Sequence, residues 1–416
     1  MRKILVTMFE TSTPPIIATN PPIPTPAKQL IIDCAQWFEF MEISPISKFA
    51  DLWSSLKTPV ENYLPSKQTT ALIQGGYSYE VGPESTSHDT DLNDYTIINT
   101  DDDFPCYTKY FYHNSAVKHY FDKTNNQIVS CIKDSTFMKT YVRSEEGIIR
   151  CVIQSEDSAV KSEEVFHGST QIERMSNDFD IDEDLMRFHA SMAITKYRFG
   201  VVYVGPGQYQ ENEIFANDNP SPAFWKFMDL IAKKEKLKGY DRYAGGLDTK
   251  GDVTGTHSFA IQFESYDCMF HVAPMIPREP KDEQSLERKR FVGNDVVVIV
   301  FKEQLNKDDV FVPSNISSHF THVFIIVTPN LTTENNESYT ISIASKDCVK
   351  PFPPFLRPTR THPILPVLPH DSMTRQFIMR KLINGERTAL KSKVFAANSK
   401  RVFQSQIKQL FDKYAK

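Results

Sequence analysis

Apolar positions fall into recognisable periods along the chain, most sharply in its second half. The runs Phe199–Val204, His257–Phe263, Cys268–Val272, Val296–Phe301, His322–Val327 and Tyr339–Ala344 are short and rich in β-branched and aromatic residues. Several are apolar without interruption, which predicts strands covered on both faces. Between them, Ser221 as N-cap, Pro222 at the first position, and Phe224, Phe227, Met228 and Ile231 at i, i+3, i+4 and i+7 predict a helix that Gly239 ends. A central, mostly buried sheet flanked by helices is therefore expected. Past the Pro-rich stretch 351–369, two helices close the chain. In the last, Phe403, Ile407, Leu410, Phe411 and Tyr414 share one face that must pack on something.

The first half is less regular. Proline crowds Thr11–Ala27 and removes backbone donors, so residues 1–28 read as an extended arm. Residues 29–93 form a helical or irregular lead-in, with two short helical patterns before Leu56 and a break at Gly75-Gly76-Tyr77. From 94 to 195, strand-like Tyr95–Ile98, Ile128–Ile132 and Ile148–Ile153 alternate with a helix-like Ser115–Phe121, which predicts a mixed α/β domain. The acidic clusters 155–164 and 178–184 read as solvated loops.

The 416 residues are enough for two or three domains. Lys and Arg number 47 against 52 Asp and Glu, a formal net charge of −5, which excludes a generally basic nucleic-acid binder. The longest apolar runs are strand-sized, so no transmembrane segment is expected. The basic start, Met1–Phe9, lacks the apolar length and small-residue cleavage site of a secretory leader. A cytoplasmic location is expected, with the six widely spaced cysteines as reduced thiols and the sequons at Asn315, Asn330 and Asn336 silent.

Eight of the fifteen glycines lie between Gly200 and Gly255, which concentrates unusual backbone geometry there. Gly246–Gly251 has the glycine spacing of a phosphate loop, but Asp252 and Val253 stand where Lys and Ser or Thr would be needed, so it reads as a plain connection. Cys268 with His271, and His319 with His322, could be imagined as zinc ligands. Both pairs fall in or beside apolar strands, where alternation sends side chains apart, so no metal is expected. The segment Leu286–Asp295 sets three cations, Arg288, Lys289 and Arg290, with Phe291 and Asn294 directly before a strand. By themselves these residues read as a solvated helical face followed by a Gly293-Asn294 turn.

Taken in order, Phe199-Gly-Val-Val-Tyr203, Ser221-Pro-Ala-Phe224, Gly245-Gly-Leu-Asp248, Thr254-Gly-Thr256, Met269-Phe-His-Val272 and Arg288-Lys-Arg-Phe-Val-Gly-Asn-Asp295 resemble the catalytic domain of Rap GTPase-activating proteins. The resemblance covers about Lys196 to Phe395. More weakly, Gly75-Gly-Tyr77 and 94–193 resemble the dimerisation domain of the Rap-directed branch, while the related tuberin branch resembles the catalytic part. It implies an α/β fold in which a Ras-like catalytic domain, 196–416 with its C-terminal helices, follows an α/β dimerisation domain, 94–195. It implies a homodimer that stimulates GTP hydrolysis by a Rap-type small GTPase in its GTP-bound form, itself without independent catalytic activity.

By the same resemblance Asn294 is the catalytic thumb, whose carboxamide enters the partner's nucleotide site and positions the attacking water. Arg288, Lys289, Arg290 and Phe291 contact or orient the GTPase, and Gly245, Gly246, Asp248, His271, Gly293 and Asp295 support them. Many Rap-directed members carry His where this chain has Phe291, which bears on affinity and partner choice. No cofactor is implied, because magnesium and GTP belong to the partner, through which the chain can also be recruited peripherally to a membrane. The competing readings are a GTPase-binding scaffold without activity, and an activator of Rheb or another Ras relative.

Overall fold

In a computed structural model of the chain, the described residues are 73–74, 76–80, 97–98, 106–134, 137–145, 147–154, 171–175, 179–278, 282, 284–306, 308–330, 338–356 and 367–414. The expected arm, the lead-in helices and the acidic run 155–164 lie outside them. Two short strands come first, β1 (Ile73–Gln74) and β2 (Tyr77–Tyr79). Helix α1 (Cys106–Tyr110) follows, then β3 (Lys118–Asp122), β4 (Gln127–Asp134), β5 (Phe137–Ser144), β6 (Gly147–Gln154) and β7 (Ile172–Arg174). Next are α2 (Phe179–Met192), β8 (Lys196–Val204), α3 (Glu211–Phe215), α4 (Pro222–Ile231), β9 (Lys233–Lys236), β10 (His257–Phe263) and β11 (Tyr266–Val272). The chain continues through α5 (Leu286–Val292), β12 (Val297–Lys302), β13 (Val323–Asn330), β14 (Ser338–Lys346), β15 (Val367–Pro369), α6 (Ser372–Leu390) and α7 (Lys393–Tyr414).

These elements form two compact units, one holding Asn99–Ile194 and Ala397–Lys416, the other Pro65–Ile98 and Thr195–Ala396. In the first, an antiparallel sheet of order β6-β5-β4-β3-β7 carries Phe121, Ile128 and Tyr141 into a cluster with Leu185 and Phe188 of α2 and Phe403, Ile407, Leu410 and Tyr414 of α7. The apolar face predicted for the last helix is therefore real, but it serves this unit and not the second half of the chain. The helix-like run Ser115–Phe121 is instead mainly β3, because pairing with β4 and β7 buries His119, Phe121 and Asp122. Ile97 and Ile98, expected in a strand, belong to none. The acidic residues 180–184 lie in α2 rather than a loop, and Asp184 accepts from Lys413 at 2.6 Å and from Tyr414 at 2.8 Å.

The second unit is a mixed sheet of order β1-β2-β14-β13-β12-β8-β11-β10-β9, with β15 added on β14. Parallel pairs join β8 to β11 and β12, and β12 to β13. Strand β12 is buried along its whole length, as its unbroken apolar run predicted. One face packs Val202, Val298 and Phe324 against α3 and α5 through Phe215 and Val292. On the other, Phe301 meets Phe224 and Phe227 of α4, and Val297 meets Gly385 of α6. Ser221 caps α4 as expected, its Oγ accepting from the Phe224 N–H at 3.3 Å. The helix ends at Ile231 and not at Gly239, because Lys233–Lys236 pair with β10 as a charged edge strand.

Candidate functional site

Helix α5 and the turn after it place the residues that the sequence singled out. Ser285 precedes the helix with φ +50°, and Asp282 supplies the cap, its carboxylate accepting from Leu286 N–H at 2.7 Å. At the far end the Gly293 N–H donates to the Lys289 carbonyl at 2.7 Å, an approach so close that a Cβ on Gly293 would lie 2.5 Å from that oxygen. Glycine is needed here for space, and its φ of −68° is ordinary. The turn is held from outside: Ser318 Oγ donates to Gly293 O at 2.6 Å and Thr321 Oγ1 to Asp295 O at 2.9 Å.

Asn294 therefore stands exposed on a turn fixed at both ends. Its Nδ2 donates to the Arg290 carbonyl at 2.6 Å, which orients the carboxamide. It lines an open cleft of about 470 Å³ with Arg198, Gly245, Gly246, His271, Arg290, Phe291 and Phe320. Gly245, at φ +64°, lets the backbone pass His271, whose Nε2 lies 3.0 Å from the Gly245 carbonyl. His271 Nδ1 lies 2.8 Å from Asp295 Oδ2, and the ring meets Phe291 edge-on at 5.2 Å. Asp295 Oδ1 pairs with Arg198 Nε at 3.3 Å. Burial pushes the Asp295 carboxyl up, while the His271 hydrogen bond and the Arg198 charge oppose the rise.

The three cations of α5 part company. Arg288 is 2% exposed, and its guanidinium donates to the carbonyls of Ile276, Phe215 and Asn217 and to Asp218. The expectation that it faces a partner is thus corrected: at this helical position the side chain meets four acceptors inside the protein. Lys289 reaches Glu211 at 3.0 Å and Asn212 at 2.9 Å, tying α5 to α3. Arg290 faces the cleft, with an exposed pair to Glu287 and its guanidinium over the Phe291 ring, 5.1 Å from the centroid.

Asp248 lies outside the cleft lining, with its carboxylate accepting from the backbone N–H groups of Lys250, Gly251 and Val253, each at 2.9 Å. The donors that a phosphate loop would present are used within the connection itself. At the opposite ends of β8 and β12, where open α/β sheets commonly hold ligands, the buried pair Lys302–Asp309 at 2.7 Å also engages Gly205 and Gly207. Arg198 and Phe320 were not among the expected site residues. Arg198, with Lys196, is an exposed charged position at the start of an otherwise buried strand, and Phe320 had only its neighbouring histidines to draw attention to it.

Residues 214–404 match the family model described as Rap/ran-GAP. Over that span the chain is similar to Rap/ran-GAP domains. It is 38% identical over 232 residues to the chicken (Gallus gallus) GTPase-activating Rap/Ran-GAP domain-like protein 3, a match covering 56% of this chain and 24% of that protein. With the human (Homo sapiens) signal-induced proliferation-associated 1-like protein 2 it shares 35% identity over 243 residues, covering 58% of this chain and 14% of the relative. It thus spans a quarter or less of the length of these relatives. A solved structure of the TSC2 GAP domain is 24% identical, with a TM-score of 0.39, over 49% of this chain and 97% of that one.

Proposed function

We propose that the chain activates GTP hydrolysis by a Rap-type small GTPase, with Asn294 reaching into the partner's nucleotide site. The observation that carries this reading is the exposure of Asn294 at the rim of a cleft, on a turn held by Ser318 and Thr321. Ras-like GTPases orient the attacking water with their own Gln, aided by an activator's arginine. The resemblance implies a partner that lacks that Gln. A carboxamide offers an acceptor for the water together with donors for phosphate, and so suits positioning rather than proton transfer. Arg198, Arg290 and Phe320 supply the cationic and aromatic surroundings for an acidic partner surface. An acceleration of about 10³ to 10⁵ corresponds to roughly 4 to 7 kcal/mol off the barrier.

The test is single-turnover GTP hydrolysis by purified Rap, with Rheb and Ras in parallel, in the presence of the wild type or Asn294→Ala. Strong stimulation of Rap by the wild type, lost in the variant, is expected. Equal stimulation by both proteins would refute the thumb. Tight binding to GTP-loaded Rap without stimulation by the wild type would make the chain a scaffold instead.

A further inference from the structure

Just before β13, residues 318–322 take hold of the turn that carries Asn294 at three backbone carbonyls. Ser318 Oγ donates to Gly293 O at 2.6 Å, Thr321 Oγ1 to Asp295 O at 2.9 Å, and the His322 N–H to Val296 O at 2.8 Å. The carbonyls on both sides of Asn294 are thus engaged, and Phe320, between the two hydroxyls in sequence, lines the cleft. Ser318 Oγ also accepts from the N–H groups of Phe320 at 3.1 Å and Thr321 at 2.9 Å, which folds the segment on itself. What fastens it to the sheet is Lys346, the last residue of β14. The Lys346 N–H donates to His322 O at 2.9 Å, while its Nζ donates to the carbonyls of Ser318 at 3.1 Å and His319 at 3.2 Å. One residue ties both ends of the segment. Its own backbone is fixed in turn, because it pairs with Tyr77 of β2 and the next N–H, of Asp347, donates to Gly76 O at 3.2 Å. Among the described residues no carboxylate pairs with Lys346, so its charged donors are spent on two successive carbonyls of one segment.

We propose that Lys346 is a positioning residue of the cleft: through residues 318–322 its ammonium fixes the turn that presents Asn294. Lys346 lines no part of the cleft itself. It acts through Ser318, whose carbonyl it holds and whose hydroxyl holds Gly293. Without the ammonium the Ser318 and His319 carbonyls are free to turn to water, the Ser318 hydroxyl moves with them, and the turn keeps only its bonds to Thr321 and His322. The consequence for GTP hydrolysis rests on the activator role proposed above. A displacement of about 1 Å costs a positioned reaction up to about 10²-fold, so a loosened turn acts on kcat. The Phe320 carbonyl still accepts from His322 Nδ1 at 2.7 Å, so the aromatic wall of the cleft, and KM with it, moves less.

Two measurements on the full chain test this, in Lys346→Met with Lys346→Gln as a polar alternative, in Lys346→Arg, in Ser318→Ala, and in Lys346→Met combined with Ser318→Ala. The first is amide hydrogen exchange over residues 289–296, where the N–H groups of Gly293, Asn294 and Asp295 donate to the carbonyls of Lys289, Phe291 and Val292. Exchange there should quicken about 3- to 10-fold in Lys346→Met, Lys346→Gln and Ser318→Ala, stay near wild type in Lys346→Arg, and be unchanged in β8 throughout. The second is single-turnover GTP hydrolysis by Rap. Lys346→Met should lower kcat on the order of 3- to 10-fold with KM held within about twofold, Lys346→Arg should restore it, and the double variant should lose less than the product of the single losses. Unchanged exchange at 289–296 in both Lys346→Met and Lys346→Gln would overturn the proposal, even with full activation of Rap, and so would single losses that multiply in the double variant. If the wild type stimulates no GTPase, the activator reading fails, and the exchange measurement still decides whether Lys346 holds the turn.

Discussion

His271 Nδ1 lies 2.8 Å from Oδ2 of Asp295, so a β11 side chain grips the residue immediately after Asn294. Both groups are buried, at 1% exposure each, and the other carboxylate oxygen faces Arg198. Asp295→Asn keeps the shape but not the charge, and turns an amide donor towards one of two donors. A loss of about 2 to 3 kcal/mol is expected in urea unfolding. Because Asp295 is out of a partner's reach, stimulated hydrolysis should lose kcat rather than affinity, which single-turnover titration of the GTPase separates.

Arg288 and Arg290 sit two residues apart and predict opposite signatures. Arg288→Met leaves the carbonyls of Ile276, Phe215 and Asn217 without their donor and should destabilise the unit by about 2 to 4 kcal/mol. Arg290→Ala removes an exposed side chain and should change stability by no more than about 0.5 kcal/mol while raising KM for the GTPase. Denaturant midpoints together with KM values from both variants check the contrast. A stable Arg288→Met would show that the buried guanidinium does not lock α5.

Phe320, half exposed in the cleft wall, has the character of an aromatic anchor. Phe320→Ala should raise KM about 5- to 10-fold and leave the melting temperature almost unmoved, because little of the ring is packed within the chain. Parallel calorimetry and kinetics on this variant suffice.

His189 predicts acid sensitivity in the first unit. Its ring lies 4.4 Å from Tyr107 and 4.9 Å from Tyr141, with Phe188 beside it, and neither nitrogen is hydrogen-bonded among the described residues. Burial, reinforced by the Arg143 and His119 charges, holds its pKa well below the usual imidazole value. The unfolded chain then binds the extra proton, so this contribution to stability is complete above about pH 6.5 and falls by about 1.4 kcal/mol per pH unit below it. His189→Phe should flatten that fall. Thermal melts of both proteins at about pH 7.5 and about pH 5 are the check, with the variant gaining only at the lower pH.

Local pattern alone was enough for β8, β10 to β14 and the capped start of α4, because strand and helix periods and an N-cap are properties of neighbouring residues. The segment Leu286–Asp295 was likewise legible as the stretch to watch. Tertiary structure decided what local pattern cannot encode. It turned Arg288 inward onto acceptors as distant in sequence as Phe215, and left Arg290 outside. It joined Arg198, His271 and Asp295 into one polar cluster, and it sent the apolar face of α7 to the five-stranded sheet. Periodicity says that a face must be covered, and charge says that a group must be solvated or paired. Which distant atoms do the covering and pairing is set by how the sheet brings β8, β11 and β12 side by side.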